Sequence, residues 1–279
     1  MLRQRILTAI VLLLIVAGAV TAATPWPMLS LLTLMTGAAL WEWWRLVWHQ
    51  PLARNGAVVL LVFLMGIGSR LLVDEQAGFA QLFQWGILPL ALLFWLLPAP
   101  AMVVRARVPA VCPSAGLAVA AVIVLAATWY ALSWIFLSHG AAALISLWAL
   151  VWCADIAAYF AGRGFGRHKL APKVSPGKTW EGAAGGVLAA TLWLALTALW
   201  WPGSYGQLLL GRLGWAGVVL AGVVLAGWSI VGDLFESLLK RRAGVKDSSQ
   251  LLPGHGGVYD RIDAVLPVAP VAILLLIIG

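Results

Sequence analysis

Chemistry in this chain concentrates between residues 233 and 263. Five of its ten acids (Asp233, Glu236, Asp247, Asp260, Asp263) lie there with five of its eighteen bases (Lys240, Arg241, Arg242, Lys246, Arg261). Opposite charges gathered in a largely hydrocarbon protein suit a metal ion and a phosphate group. On a helix, Asp233, Glu236, Ser237 and Lys240 follow i, i+3, i+4, i+7 spacing and share one face. Asp260 and Asp263 follow three apart, one helical turn. The carboxylates of Asp233, Asp260 and Asp263 make a site for a hard cation, and magnesium takes one or two carboxylates plus water and phosphate oxygens. Neighbouring Lys and Arg would hold the remaining phosphate charge. The turn Pro253-Gly254-His255-Gly256-Gly257 permits positive φ or close backbone approach, as a loop folded around a ligand needs. His255 has no second histidine beside it, so a phosphate contact or proton donor suits it better than a metal ligand. The competing reading, salt bridging between exposed neighbours, is worth about 0–1 kcal/mol and does not require acids inside helix mouths.

A second polar segment covers residues 157–182, with five bases (Arg163, Arg167, Lys169, Lys173, Lys178) and, before Pro172, three glycines. Gly177-Lys178-Thr179 resembles the end of a P-loop, but the required upstream glycine is Pro172, and no strand context is expected. A looser phosphate cradle remains, with Ser175, Lys178 and Thr179 as contacts. Asp155 precedes the segment inside an apolar run. An acid there costs about 2.5–3.5 kcal/mol on insertion scales and needs a polar partner, so a structural ion pair is the plain alternative.

The elements that must position these residues are apolar helices. The chain has 279 residues, 63% of them hydrophobic and 10% charged, outside the globular range. Runs long enough or nearly long enough to span a bilayer occur at 6–22, 27–48, 56–73, 82–98, 116–137, 141–161, 181–200, 212–232 and 264–279. The expectation is therefore an all-α, polytopic integral membrane protein of about nine transmembrane helices. With the N-terminus cytoplasmic and the C-terminus outside, 16 of the 18 basic residues fall in cytoplasmic segments, leaving Arg70 and Arg212 outside. That asymmetry includes Arg3, Arg5, Arg45, Arg54, Arg105 and Arg107, and places both polar segments on the cytoplasmic face. It also accounts for the formal charge of +8 without nucleic acid as a partner. Residues 1–23 read as a first span, since their apolar run is long for a cleaved signal. Tryptophans near the span ends form an interfacial belt. Cys112 and Cys153 are too few for a disulfide framework or a zinc site. No repeat or linker appears. The expectation is a single integral membrane domain over 1–279, with 1–150 an apolar helical scaffold, 151–263 the catalytic segments and 264–279 the last helix.

Ser237-x-Leu239-Lys240-Arg241, four residues, Lys246-Asp247, then Leu252-Pro253-x-His255-Gly256-Gly257-Val258-x-Asp260-Arg261-Ile262-Asp263 resembles the signature of the phosphatidate cytidylyltransferases. Ser175-Pro176-Gly177-Lys178-Thr179-Trp180-Glu181-Gly182 resembles another stretch of that family. The likeness is specific over residues 150–263; before that it rests on apolar spans alone. It implies an integral membrane nucleotidyltransferase in phospholipid synthesis, joining CTP and phosphatidic acid into CDP-diacylglycerol and pyrophosphate with Mg2+, a second cation being able to share the load. The simple N-terminus and the topology lead to the expectation of an inner (plasma) membrane location. Carried over, Asp233 and Asp260 coordinate metal with Asp263 in support. Ser237, Lys240, Arg241, Lys246 and Arg261 hold phosphates, and Lys246 ranks with the three acids as catalytic. The resemblance also allows a homodimer. The rival readings are a dolichol- or phytol-kinase-like enzyme, a CDP-alcohol phosphotransferase, whose aspartate pattern is absent here, and a transporter. A transporter would spread polar groups through the bundle, whereas these gather at one face. The loop carrying Lys178 and Glu181 is expected to complete the site.

Overall fold

The structure, a computed structural model, describes residues 2–48, 50–106 and 114–278. Arg107 and Cys112 lie outside the described residues, as do the side chains of Arg3 and Arg5. The fold is mostly helical. In chain order it runs α1 (Leu2–Thr21), α2 (Trp26–Val47), α3 (Pro51–Val73), α4 (Ala77–Gln81), a π-helical stretch (Leu82–Ile87), α5 (Leu88–Leu96), α6 (Pro98–Arg105) and α7 (Ala115–Phe165). It continues with β1 (Lys169–Ala171), β2 (Ser175–Thr179), α8 (Trp180–Trp200), α9 (Tyr205–Arg242), α10 (Tyr259–Ile262) and α11 (Val265–Ile278).

Among the described residues, five helical stretches are long and apolar enough to cross a membrane: Pro51–Val73, Ala77–Arg105, Ala115–Phe165, Trp180–Trp200 and Tyr205–Arg242. Ile6–Thr21 and Val265–Ile278 are shorter apolar helices. α2 has 22 residues but stays outside that set, because four tryptophans, Glu42 and Arg45 lower its hydropathy. At 51 residues, α7 would run about 76 Å if straight, more than twice a bilayer's hydrocarbon core. Gly140 interrupts it, with φ 82° and ψ −177°, a conformation that side chains disfavour. The separate runs expected at 116–137 and 141–161 are the two sides of that break. Gly214 (φ 64°) divides α9 in the same way.

One departure from an all-helical chain is the hairpin β1–β2. It is antiparallel, with Lys169 opposite Thr179 and Ala171 opposite Ser175. It stands where a plain loop was expected.

The chain forms two compact units. The first comprises Met1–Ala91, Val108–Ser133 and Leu239–Ile262; the second comprises Leu92–Arg107, Trp134–Leu238 and Asp263–Gly279. Aromatic packing holds the first. Trp43 stacks on Tyr259 at 5.4 Å, and Phe83 on Tyr130 at 4.6 Å. Indole N–H groups find oxygen partners, Trp129 Nε1 donating to Thr33 Oγ1 (3.0 Å) and Trp44 Nε1 to the Ala118 carbonyl (2.8 Å). Buried indoles need such partners. In the second unit α8 meets the later part of α7 through small residues. A side chain at Gly182 or Gly186 would strike the backbone carbonyls of Ala158 and Ala154. Small residues at such contacts are the common device for close helix approach where lipid gives no hydrophobic drive. The contact fixes the stretch of α7 carrying Asp155 against the start of α8, where the hairpin ends.

Candidate active site

In the second unit three acids converge. Ligand oxygens of Asp233 and Glu236 on α9 and of Asp263, in the turn between α10 and α11, all lie within 4.8 Å of one another. Helical spacing brings the first two together. Gly232 brings the third, since a Cβ there would collide with the Asp263 carbonyl and the Pro267 ring. Its absence lets the turn before α11 lie against α9. Lys178, near the end of β2, reaches Asp233 Oδ2 at 2.5 Å. Ser237 Oγ donates to Asp233 Oδ1 at 3.4 Å, and the Ala264 N–H to Asp263 Oδ1 at 2.8 Å. Asp155 on α7 is near enough to interact electrostatically with Asp233, Asp263 and Lys178. Burial, reinforced by the neighbouring Asp233 carboxylate, pushes the Asp263 carboxyl well above its ordinary value. Carboxylates this close cannot all ionise without added positive charge. An all-oxygen, partly buried donor set fits a hard divalent cation and offers nothing to soft metals.

The first unit holds a second pair of carboxylates, and both organise a loop. Asp260 on α10 accepts from Lys240 Nζ at 2.9 Å, from the Ser248 N–H at 3.1–3.2 Å and from the Gly257 N–H at 2.8 Å. Both side chains of that ion pair are largely buried, 16% exposed for Lys240 and 7% for Asp260. Glu42 on α2, fully buried, takes the other end of the loop. It accepts from the hydroxyls of Ser248 (3.1 Å) and Ser249, and from the N–H groups of Val258 (3.1 Å) and Tyr259 (2.5 Å). Two of the turn's three glycines, Gly256 and Gly257, serve these acids. Gly256 has φ 85°, and a Cβ at Gly257 would strike Ser248 Oγ and the Glu42 carboxylate. The turn expected to close around a ligand closes around Glu42 and Asp260.

The sequence-predicted residues therefore divide. Asp233, Asp263, Ser237 and Lys178 come together, with Glu236 added as a third acid. Asp260 was expected beside Asp263 on one helical turn. α10 ends at Ile262, however, so Asp263 stands in a turn, and the Asp260 carboxylate is engaged by a lysine and two backbone amides. Thr179, expected at phosphate, is the N-cap of α8, its Oγ1 accepting from the Gly182 N–H at 3.1 Å. Glu181 pairs with His168 Nδ1 at 2.7 Å and accepts from the His168 N–H, which ties down the entry to the hairpin. Ser175 sits at the start of β2, half-buried. The His255 carbonyl accepts from Arg261 Nε at 3.0 Å, while its own Nδ1 is buried with no hydrogen-bond partner among the described residues. Arg241, Lys246 and Arg261 are exposed. Glu42 was missed, although a lone acid inside an apolar run is itself a signal.

Fold and site together define a helical protein with several candidate membrane spans and a partly buried carboxylate group able to hold a cation. The chain belongs to the cytidylyltransferase family, whose model matches residues 3–278. It is 40% identical over 290 residues to the phosphatidate cytidylyltransferase of Pseudomonas aeruginosa, covering 99% of this chain and 97% of that one. To the enzyme of the same name from Haemophilus influenzae it is 36% identical, covering 97% and 96%. The Brucella suis phosphatidate cytidylyltransferase is 36% identical over 77% of this chain and 83% of its own length.

Proposed function

We propose that this chain is a phosphatidate cytidylyltransferase, transferring CMP from CTP to phosphatidic acid. The observation that carries the reading is the meeting of Asp233, Glu236, Asp263 and Lys178 in a family whose curated relatives bear that activity in their names. A phosphate oxygen of phosphatidate forms a bond to the α-phosphorus of CTP. The bond from that phosphorus to the β-bridging oxygen breaks, and pyrophosphate leaves with its electron pair. The nucleophile is already anionic near neutral pH, so the reaction asks little of a general base. It asks for alignment of two anions and relief of their repulsion.

The three acids would hold Mg2+, whose contribution is to neutralise phosphate charge, and a second cation could share that load. Asp155 adds negative charge that favours cation binding. Lys178 is set to pass from Asp233 to a phosphate oxygen once a cation occupies the acids. Lys240, Arg241, Lys246 and Arg261 would bind the remaining phosphates, with Ser175, Ser237 and His255 as further hydrogen-bonding contacts. Asp260 would act chiefly by fixing Lys240 and the loop. The remaining elements of the proposal are nine spans with the N-terminus cytoplasmic, an inner-membrane location, a single integral domain and a homodimer.

The test is incubation of the purified protein with labelled CTP, phosphatidic acid and Mg2+. A CDP-lipid and pyrophosphate are expected. CDP with a phosphorylated lipid would replace this reading with that of a lipid kinase.

A further inference from the structure

An apolar groove lies in the first unit, between α2 and α3. Leu34, Ala38 and Trp41 of α2, Val58 and Val62 of α3, and Leu251 of the Glu42-bound loop line an apolar groove of about 240 Å³. The two helices come close here because a Cβ at Gly37 would meet the Val62 side chain. At one end of the groove two arginines converge on one indole. The Arg45 guanidinium lies 5.4 Å from the Trp41 ring centroid and that of Arg54 5.6 Å. Asn55 Oδ1 accepts from Trp41 Nε1 at 3.0 Å and holds the ring in place.

The arrangement is short of negative charge. The two guanidinium groups are close enough to repel each other, and among the described residues neither is in an ion pair with an acid. Arg54 Nε is buried without a hydrogen-bond partner among the described residues, and its Nη1 reaches only the Trp48 carbonyl at 3.5 Å. Arg54 sits in the first turn of α3, a 23-residue helix whose start carries no side-chain cap among the described residues. Helix N-termini and arginine forks both favour phosphate. A cationic end joined to an apolar channel on a membrane protein has the polarity of a phospholipid.

We infer that the α2–α3 groove binds one anionic phospholipid of the bilayer, its phosphate on Arg45 and Arg54 and an acyl chain along Ala38, Val58 and Val62. Through Leu251 the acyl chain touches the loop that Glu42 anchors, so this lipid braces that loop without reacting.

The test is native mass spectrometry of the full chain in a non-ionic detergent, titrated with phosphatidylglycerol, phosphatidylcholine or inorganic phosphate, with CTP and phosphatidate absent. One phosphatidylglycerol per chain should bind, phosphatidylcholine at least tenfold more weakly, and millimolar phosphate should not displace it. The R45Q/R54Q variant should lose that one lipid, with affinity falling roughly 30-fold at about fivefold per arginine near an anionic surface. A38F fills the groove, leaves both arginines and should lose the lipid as well. Unchanged phosphatidylglycerol binding by R45Q/R54Q, or equal binding of the two lipids by the wild type, would overturn the inference. Displacement by phosphate with binding retained in A38F would assign the arginines to a soluble anion and also overturn it. Should the double variant fail to fold, the headgroup comparison and A38F decide the matter. Turnover is not the readout, so failure here leaves the cytidylyltransferase reading untouched.

Discussion

Two aspartates three residues apart have different partners, and the roles proposed for them can be told apart. Asp263 belongs to the carboxylate group, so Asp263→Asn is expected to cut Mg2+-dependent turnover about a hundredfold or more, leaving the melting temperature in detergent near that of the wild type. Asp260 is paired with buried Lys240 and two loop amides. Asp260→Asn should lower thermal stability, since breaking one side of a buried pair costs about 3–5 kcal/mol, and should leave the Mg2+ concentration for half-maximal rate unchanged. A shifted Mg2+ dependence in Asp260→Asn would return that residue to the cation. Glu42 is a further case. It accepts four hydrogen bonds from one loop, so Glu42→Ala should destabilise the protein by about 3 kcal/mol or more. Glu42→Gln should recover part of that loss, and equal melting temperatures for all three proteins would show that the loop is held otherwise.

At the scale of elements, the site depends on how closely helices approach. Gly232 is the clearest instance, because only a hydrogen fits between α9 and the Asp263 carbonyl. Gly232→Val should push the turn before α11 away from α9 and take Asp263 off Asp233. The expected result is a Mg2+ requirement raised at least tenfold, measured as rate against Mg2+ concentration, while Asp233 and Glu236 remain on their helix. The hairpin has a similar part. It lifts Lys178 to Asp233 from a segment in which Thr179 and Glu181 are occupied in starting α8 and tying down the strand.

At the scale of the whole molecule, the proposed topology places the 233–263 segment and residues 49–55 on the cytoplasmic side and residues 74–76 outside. In a background with Cys112 and Cys153 changed to Ser, Glu75→Cys should react with a membrane-impermeant maleimide in intact cells. Gln250→Cys should react only after permeabilisation. The reverse pattern would invert the orientation, and labelling of both in intact cells would remove the proposed span count. The proposed lipid at Arg45 and Arg54 would place phospholipid against the same loop as Glu42, which makes α2 more than a passive support.

Sequence by itself determined the helical membrane class, since a chain this apolar buries its backbone polar groups only in helices or closed barrels. Among the described residues each expected apolar run matches a helical stretch, three of them overrunning an end of it by one residue. The polar signature also singled out Asp233, Asp263, Ser237 and Lys178, which the fold brings together, along with eight other residues that it does not add to that group, because charge in hydrocarbon is costly and draws notice. Tertiary structure alone decided which carboxylates meet. Asp260 and Asp263 look equivalent at a spacing of three, and only the end of α10 at Ile262 and the close approach allowed by Gly232 give them different surroundings. Glu42 was invisible as a loop anchor because its partners lie more than 200 residues away. Local spacing carries information about one helix face. Which faces then meet is set by long-range packing, and a small residue permits such a contact without announcing it.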